Sequence, residues 1–129
     1  MKTFSLVLIA VVALEHLYFL YLEMFQWTKP RTMKAFGLDP DFAEKSKVLA
    51  ANQGLYNGFL AAGLIWALVV NDGTLFRPLA VFFLSCVIVA GIYGAFGTKK
   101  IRLFYMQAVP AVVALALVLL VFMPSQAVK

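Results

Sequence analysis

The sequence predicts an all-α, membrane-spanning protein built as a four-helix antiparallel bundle. Three observations lead there. First, 64% of the 129 residues are hydrophobic and only 13% are charged, against roughly 45–50% and about 25% in a soluble domain. Mean hydropathy is +0.92. A water-soluble fold of this length cannot hide that much apolar surface, so lipid is the expected solvent for most of it. The same composition excludes a disordered chain, a collagen and a disulfide scaffold. Second, the apolar residues fall into four runs, each near the ~20 residues that cross a ~30 Å hydrocarbon core. Third, the second and third connections are short, and the connections together carry most of the basic residues. Lipid cannot satisfy bare backbone groups, so each run is read as a helix.

The first helix is expected over residues 3–25. Lys2 and the stretch to Ala13 have the form of a signal peptide, but the apolar character continues past Glu15 to Phe25. That is too long for a signal core, so a retained helix is expected. A longer connection follows. Thr32 to Phe36 predicts a short interfacial turn closed by Gly37, and Asp39-Pro40 reads as an N-cap followed by the first helical residue. The second helix, residues 40–70, therefore starts before its apolar run at Val48 and projects beyond the membrane. Asn71-Asp72-Gly73-Thr74 reads as a tight turn with Gly73 available for positive φ. The third helix covers 75–96, with Gly97 as its terminating residue. The fourth covers 102–122, with a kink expected at Pro110. No repeat, linker or low-complexity tract interrupts residues 1–129, which read as a single domain. Cys86 is the lone cysteine, so no intrachain disulfide can form.

The net charge of +5 and pI near 9.5 would suggest nucleic acid in a soluble protein. Here the basic residues lie between the apolar runs, and the expected partner is the lipid bilayer, not nucleic acid. Lys29, Arg31, Lys34, Lys45 and Lys47 in the first connection join Lys99, Lys100 and Arg102 in the third, eight in all, against Lys2, Arg77 and Lys129 on the opposite side. The positive-inside rule then places the first and third connections in the cytoplasm and both termini outside.

Polar residues inside the runs are the candidate site. An ionisable group at the centre of a membrane helix costs about 2.5–3.5 kcal/mol on insertion scales. Glu15, His16 and Glu23 on the first helix fall on one arc about 100° wide, which reads as a stripe facing the interior. Asn52, Gln53, Tyr56 and Asn57 form a second arc, with Gly54, Gly58, Ala61 and Ala62 on a separate packing side. At ~1.5 Å per residue, Glu23 is level with Asn52, while Glu15, His16 and Asn57 meet near the midplane. Tyr93, Tyr105 and Gln107 lie in the same cytoplasmic half. The expectation is a polar pocket there, with Glu15, His16 and Glu23 as candidate catalytic acid–base groups and the amides and tyrosines as candidate ligand-binding groups. Blander readings stand beside it. The amides can be interhelical hydrogen-bond glue, Glu23 can pair with Arg102, and Tyr18, Tyr21 and Trp27 fit belt aromatics.

The segments Ala13-Leu14-Glu15-His16-Leu17-Tyr18, Tyr21-Leu22-Glu23-Met24-Phe25 and Lys47 through Phe59 resemble DUF1304, a family of small bacterial membrane proteins of unknown function. The resemblance covers nearly the whole chain. It implies a bacterial multi-pass protein, expected in the inner membrane, and carries no activity and no catalytic residue.

The function expected from the residues is binding, or acid–base conversion, of a small lipophilic molecule. Two alternatives come from other classes. One is an accessory or structural membrane subunit. The other is a small proton-coupled multidrug-type transporter, against which the eight-to-three charge bias argues, because dual insertion needs a weak bias. Glu15, His16 and Glu23 make at most a sparse hard-ligand set, so no metal and no cofactor is expected. A homo-oligomer is left open.

Overall fold

A computed structural model of the chain describes residues 1–70, 72–98, 101 and 104–122. Among these residues the fold is all-α, with no strand. Helix α1 runs Lys2–Phe25, α2 Pro30–Phe36, α3 Pro40–Val69 and α4 Gly73–Thr98. A π-helical turn, Phe104–Ala108, then leads into α5, Val109–Val121.

Local chemistry sets the element boundaries. Gly37 ends α2 in the left-handed region at φ 62°, as its place after Phe36 predicts. Asp39 starts α3: its side chain accepts from the Phe42 N–H at 2.9 Å, and Pro40 takes the first helical position. The segment expected as a turn at Thr32–Phe36 is a full short helix from Pro30. Two turn expectations need correcting. Gly73 has no positive φ; it is the first residue of α4, and Asp72 supplies the cap by accepting from the Thr74 N–H at 2.8 Å and hydroxyl at 2.6 Å. Gly97 does not terminate α4, which continues to Thr98. Asn71, Lys99, Lys100 and Arg102 lie outside the described residues, so the pairing of Glu23 with Arg102 does too. The kink expected at Pro110 takes the form of the π turn before it. A proline ring crowds the carbonyl four residues back and donates no hydrogen bond, and a widened turn relieves both.

Residues of α1, α3, α4 and α5 share one apolar core. Ile9, Val12 and Ala13 meet Leu64 and Ala67, the α4 stripe Phe76, Ala80, Leu84 and Val87, and Ala111, Ala114 and Val118. The α4 spacing of four, four and three residues keeps one helix face inward. Neighbours run antiparallel. Gly54 lies against Glu23 and Met24 while Gly58 lies against Leu20, and Gly91 meets Ala108 while the Phe76 ring packs at a tilt against that of Phe122, centroids 4.5 Å apart. Glycines allow the closest approaches. A Cβ on Gly63 would sit 2.2 Å from the Phe83 ring, and one on Gly54 would sit 3.2 Å from the Leu20 carbonyl oxygen.

Among the described residues two helices are long and apolar enough to cross a membrane, Lys2–Phe25 and Gly73–Gly97. A third apolar helix, Tyr105–Val121, is shorter. The 30-residue α3 is diluted by its charged first turns and by Asn52, Gln53 and Asn57.

Candidate functional site

Glu23 and Asn57 make a polar contact between α1 and α3. The Asn57 Nδ2 donates to Glu23 Oε2 at 2.7 Å. Asn57 is 7% exposed and Glu23 is half-buried. The partner assignment differs from the expected levels, which set Glu23 opposite Asn52. Helical side chains lean toward their own N-terminus. In antiparallel neighbours, Glu23 and Asn57 therefore lean toward each other across about a turn of backbone offset. Asn57 also sits on the same face as Ala50, Gly54 and Ala61, all buried. The expected separation of a polar face from a packing face on this helix is thus corrected: Asn57 belongs to both, and Ala62 is exposed.

Beside Glu23 lies an open cleft of about 340 Å³. The end of α1 contributes Glu23, Met24 and Phe25, the connection after it Trp27 and Thr28, and α3 contributes Lys47, Val48 and Ala51. The wall on the connection side is braced. Trp27 Nε1 donates to Ser46 Oγ at 3.0 Å, Ser46 Oγ donates to the Phe42 carbonyl at 2.6 Å, and the Trp27 ring packs 5.2 Å from that of Phe36. Lys47 is tied to Glu44, both exposed, at the rim.

The remaining candidates are dispersed. His16 is 1% exposed, and its Nδ1 lies 2.8 Å from the Val12 carbonyl. A carbonyl only accepts, so Nδ1 carries the proton and Nε2 is the basic atom of the neutral ring. Phe19 meets that ring edge-on at 6.0 Å. Glu15 is half-buried, and among the described residues no hydrogen bond joins it to His16 or Asn57, the expected midplane group; Asn57 pairs with Glu23 instead. Asn52, Gln53 and Tyr56 are exposed on the outer face of α3; the interior arc expected of them is reduced to Asn57. Tyr93 and Tyr105 are 80% and 63% exposed. Gln107 is half-buried in the π turn, its Cβ close to Gly91. Among the described residues no three His, Cys, Asp or Glu side chains converge on a metal-sized site.

Residues 10–119 match the profile of a family described as "Protein of unknown function (DUF1304)". The chain belongs to the DUF1304 family. It is also similar to the uncharacterized protein YpaA of Lactococcus lactis subsp. lactis (strain IL1403), with 32% identity over 117 residues, covering 89% of this chain and 96% of the relative. No solved structure matches at comparable significance. The DUF1304 stretch contains every candidate residue from Glu15 to Gln107 and the whole lining of the cleft.

Sequence reasoning missed the cleft's aromatic wall. Trp27 read as a belt residue, and its signal lay in Ser46, a small hydroxyl at the first-connection end of α3, where a partly buried indole N–H finds an acceptor.

Proposed function

We propose that this DUF1304 protein is an integral inner-membrane protein, a single four-helix domain with both termini outside, that holds a small lipophilic molecule in the cleft beside Glu23. In this reading α3 and α5 cross the bilayer together with α1 and α4, and the eight-to-three basic bias puts the cleft in the cytoplasmic half. The observation that carries the reading is the Asn57–Glu23 hydrogen bond of 2.7 Å at the margin of a 340 Å³ cleft whose other walls are largely apolar. That volume is in the range of small-molecule sites, in which a few placed polar groups orient an apolar ligand. Asn57 fixes one carboxylate oxygen, and Glu23, which lines the cleft, keeps its other oxygen as a hydrogen-bonding or proton-accepting atom. Conversion chemistry, where it occurs, uses Glu23.

The test is ligand capture. Full-length protein is extracted from membranes in nonionic detergent, and its organic extract is compared with those of Glu23→Gln and Ala51→Trp, the second of which fills the cleft. A lipophile that is enriched with the wild type and depleted in both variants supports the reading. Equal extracts from all three remove it.

One observation favours the accessory-subunit alternative. Asn52, Gln53 and Tyr56 point outward from α3, and amides that face lipid seek partners. Crosslinking from position 53 to another polypeptide, with no enriched lipophile, selects that reading.

A further inference from the structure

The polar groups around the cleft are not equally free. The Trp27 Nε1 is committed to Ser46, so the indole offers its ring. The Lys47 ammonium is tied to Glu44 at the exposed rim. Glu23 differs: Asn57 donates to one oxygen, and no described residue hydrogen-bonds the other. Met24, Val48 and Ala51 complete an apolar surround. A carboxylate with one oxygen unbonded by any described residue, an indole ring and a polarizable thioether in one small cleft select a cationic head on an apolar body. The carboxylate supplies charge and a strong acceptor. The ring attracts cations through its quadrupole. The thioether adapts to irregular apolar shapes. An anionic head would meet the carboxylate head-on, and a neutral alcohol would gain one ordinary hydrogen bond.

Building on the proposed binding role of this cleft, we infer that its ligand class is the lipophilic ammonium, an amine or quaternary ammonium with a short alkyl or aryl body that fits about 340 Å³. Glu23 pairs with the head, Trp27 flanks it, and Met24, Val48 and Ala51 hold the body. Lys47 is the competing charge, kept at the rim by Glu44.

The experiment uses three probes with one chain length and three charges: octyltrimethylammonium, octanol and octanoate. Each is titrated calorimetrically against the full chain in a nonionic micelle, with empty micelles as the blank. A Trp66→Phe background makes the emission report Trp27. The ammonium is expected to bind at least ~10-fold more tightly than the other two, a gap that corresponds to one charge-level contact, and to shift Trp27 emission. Glu23→Gln should erase that preference, Ala51→Trp should abolish binding with the thermal midpoint kept, and Lys47→Gln should tighten ammonium binding or leave it unchanged. If all three probes bind the wild type alike, the charge inference falls while the cleft remains a binding site. If none binds, both fall. An ammonium preference that survives Glu23→Gln, or is lost in Lys47→Gln, overturns the assignment of the head to Glu23.

Discussion

Replacing Asn57 with alanine removes the donor that reaches Glu23 Oε2 at 2.7 Å. Asn57 is 7% exposed, so little water can take its place. The loss has two parts. The amide vacates space on the face that packs against α1, and the half-buried carboxylate loses its partner. Interhelical hydrogen bonds in membrane proteins measure about 0.6–1.7 kcal/mol, and bonds to charged groups about 1.5–3 kcal/mol. The short distance and partial burial place this pair where those ranges meet, at ~1.5 kcal/mol of coupling. A single truncation also carries packing loss, so only a double-mutant cycle isolates the pair. Wild type, Asn57→Ala, Glu23→Ala and the double variant are unfolded reversibly in mixed micelles and followed by far-ultraviolet circular dichroism. Coupling near ~1.5 kcal/mol is expected. Additivity within about 0.5 kcal/mol, the tolerance for independent sites, would show that the two side chains do not act on each other and would refute the register deduced for α1 and α3.

Three further outcomes follow from the fold. Gly63→Ala sets a methyl 2.2 Å from the Phe83 ring; it should destabilise by about 1–3 kcal/mol as overpacking, and Phe83→Ala in the same chain should recover part of that loss in thermal unfolding. The Asp72 carboxyl is held below the usual carboxylate range by the Thr74 hydroxyl and then by the Thr74 N–H. A depressed folded value adds stability above the unfolded value near ~3.9 and loses it as pH falls through the folded value, so protection of the Thr74 amide, corrected for its intrinsic exchange rate, should fall below about pH 4 in the wild type and show no such step in Asp72→Asn. Alkaline phosphatase fused after Lys129 should be active and the same enzyme fused within residues 31–45 inactive; the reverse pattern would overturn the orientation.

What could be read in the sequence depended on the range of the chemistry. Asp39-Pro40 and Gly37 were legible because capping and the left-handed region are settled within four residues. Gly97 misled because a glycine terminates a helix only when the following chain leaves it, and α4 runs one residue further. Pro110 announced a distortion, but the choice of a π turn over a simple kink goes with the packing of Gln107 and Ala108 of that turn against Gly91 on α4. The polar candidates were visible, while their directions were not. On α3 the polar side chains outnumber the glycines, and centring the inward face on them sent Asn52 and Gln53 inside. The fold instead follows close backbone approach at Gly54 and Gly63, where van der Waals contact is densest. Of the polar arc only Asn57 shares that face. Glu23 was legible as a residue in an expensive place, and its partner required the lean of both side chains.

Native mass spectrometry of the full chain ejected from nonionic micelles tests the ligand-holding cleft most directly. The wild type should carry one adduct of defined mass that Glu23→Gln loses or sharply reduces and that Ala51→Trp, filling the cleft, excludes, while all three keep the same helical content by far-ultraviolet circular dichroism. An adduct of equal occupancy in all three proteins, or none in the wild type prepared directly from its own membranes, would contradict it.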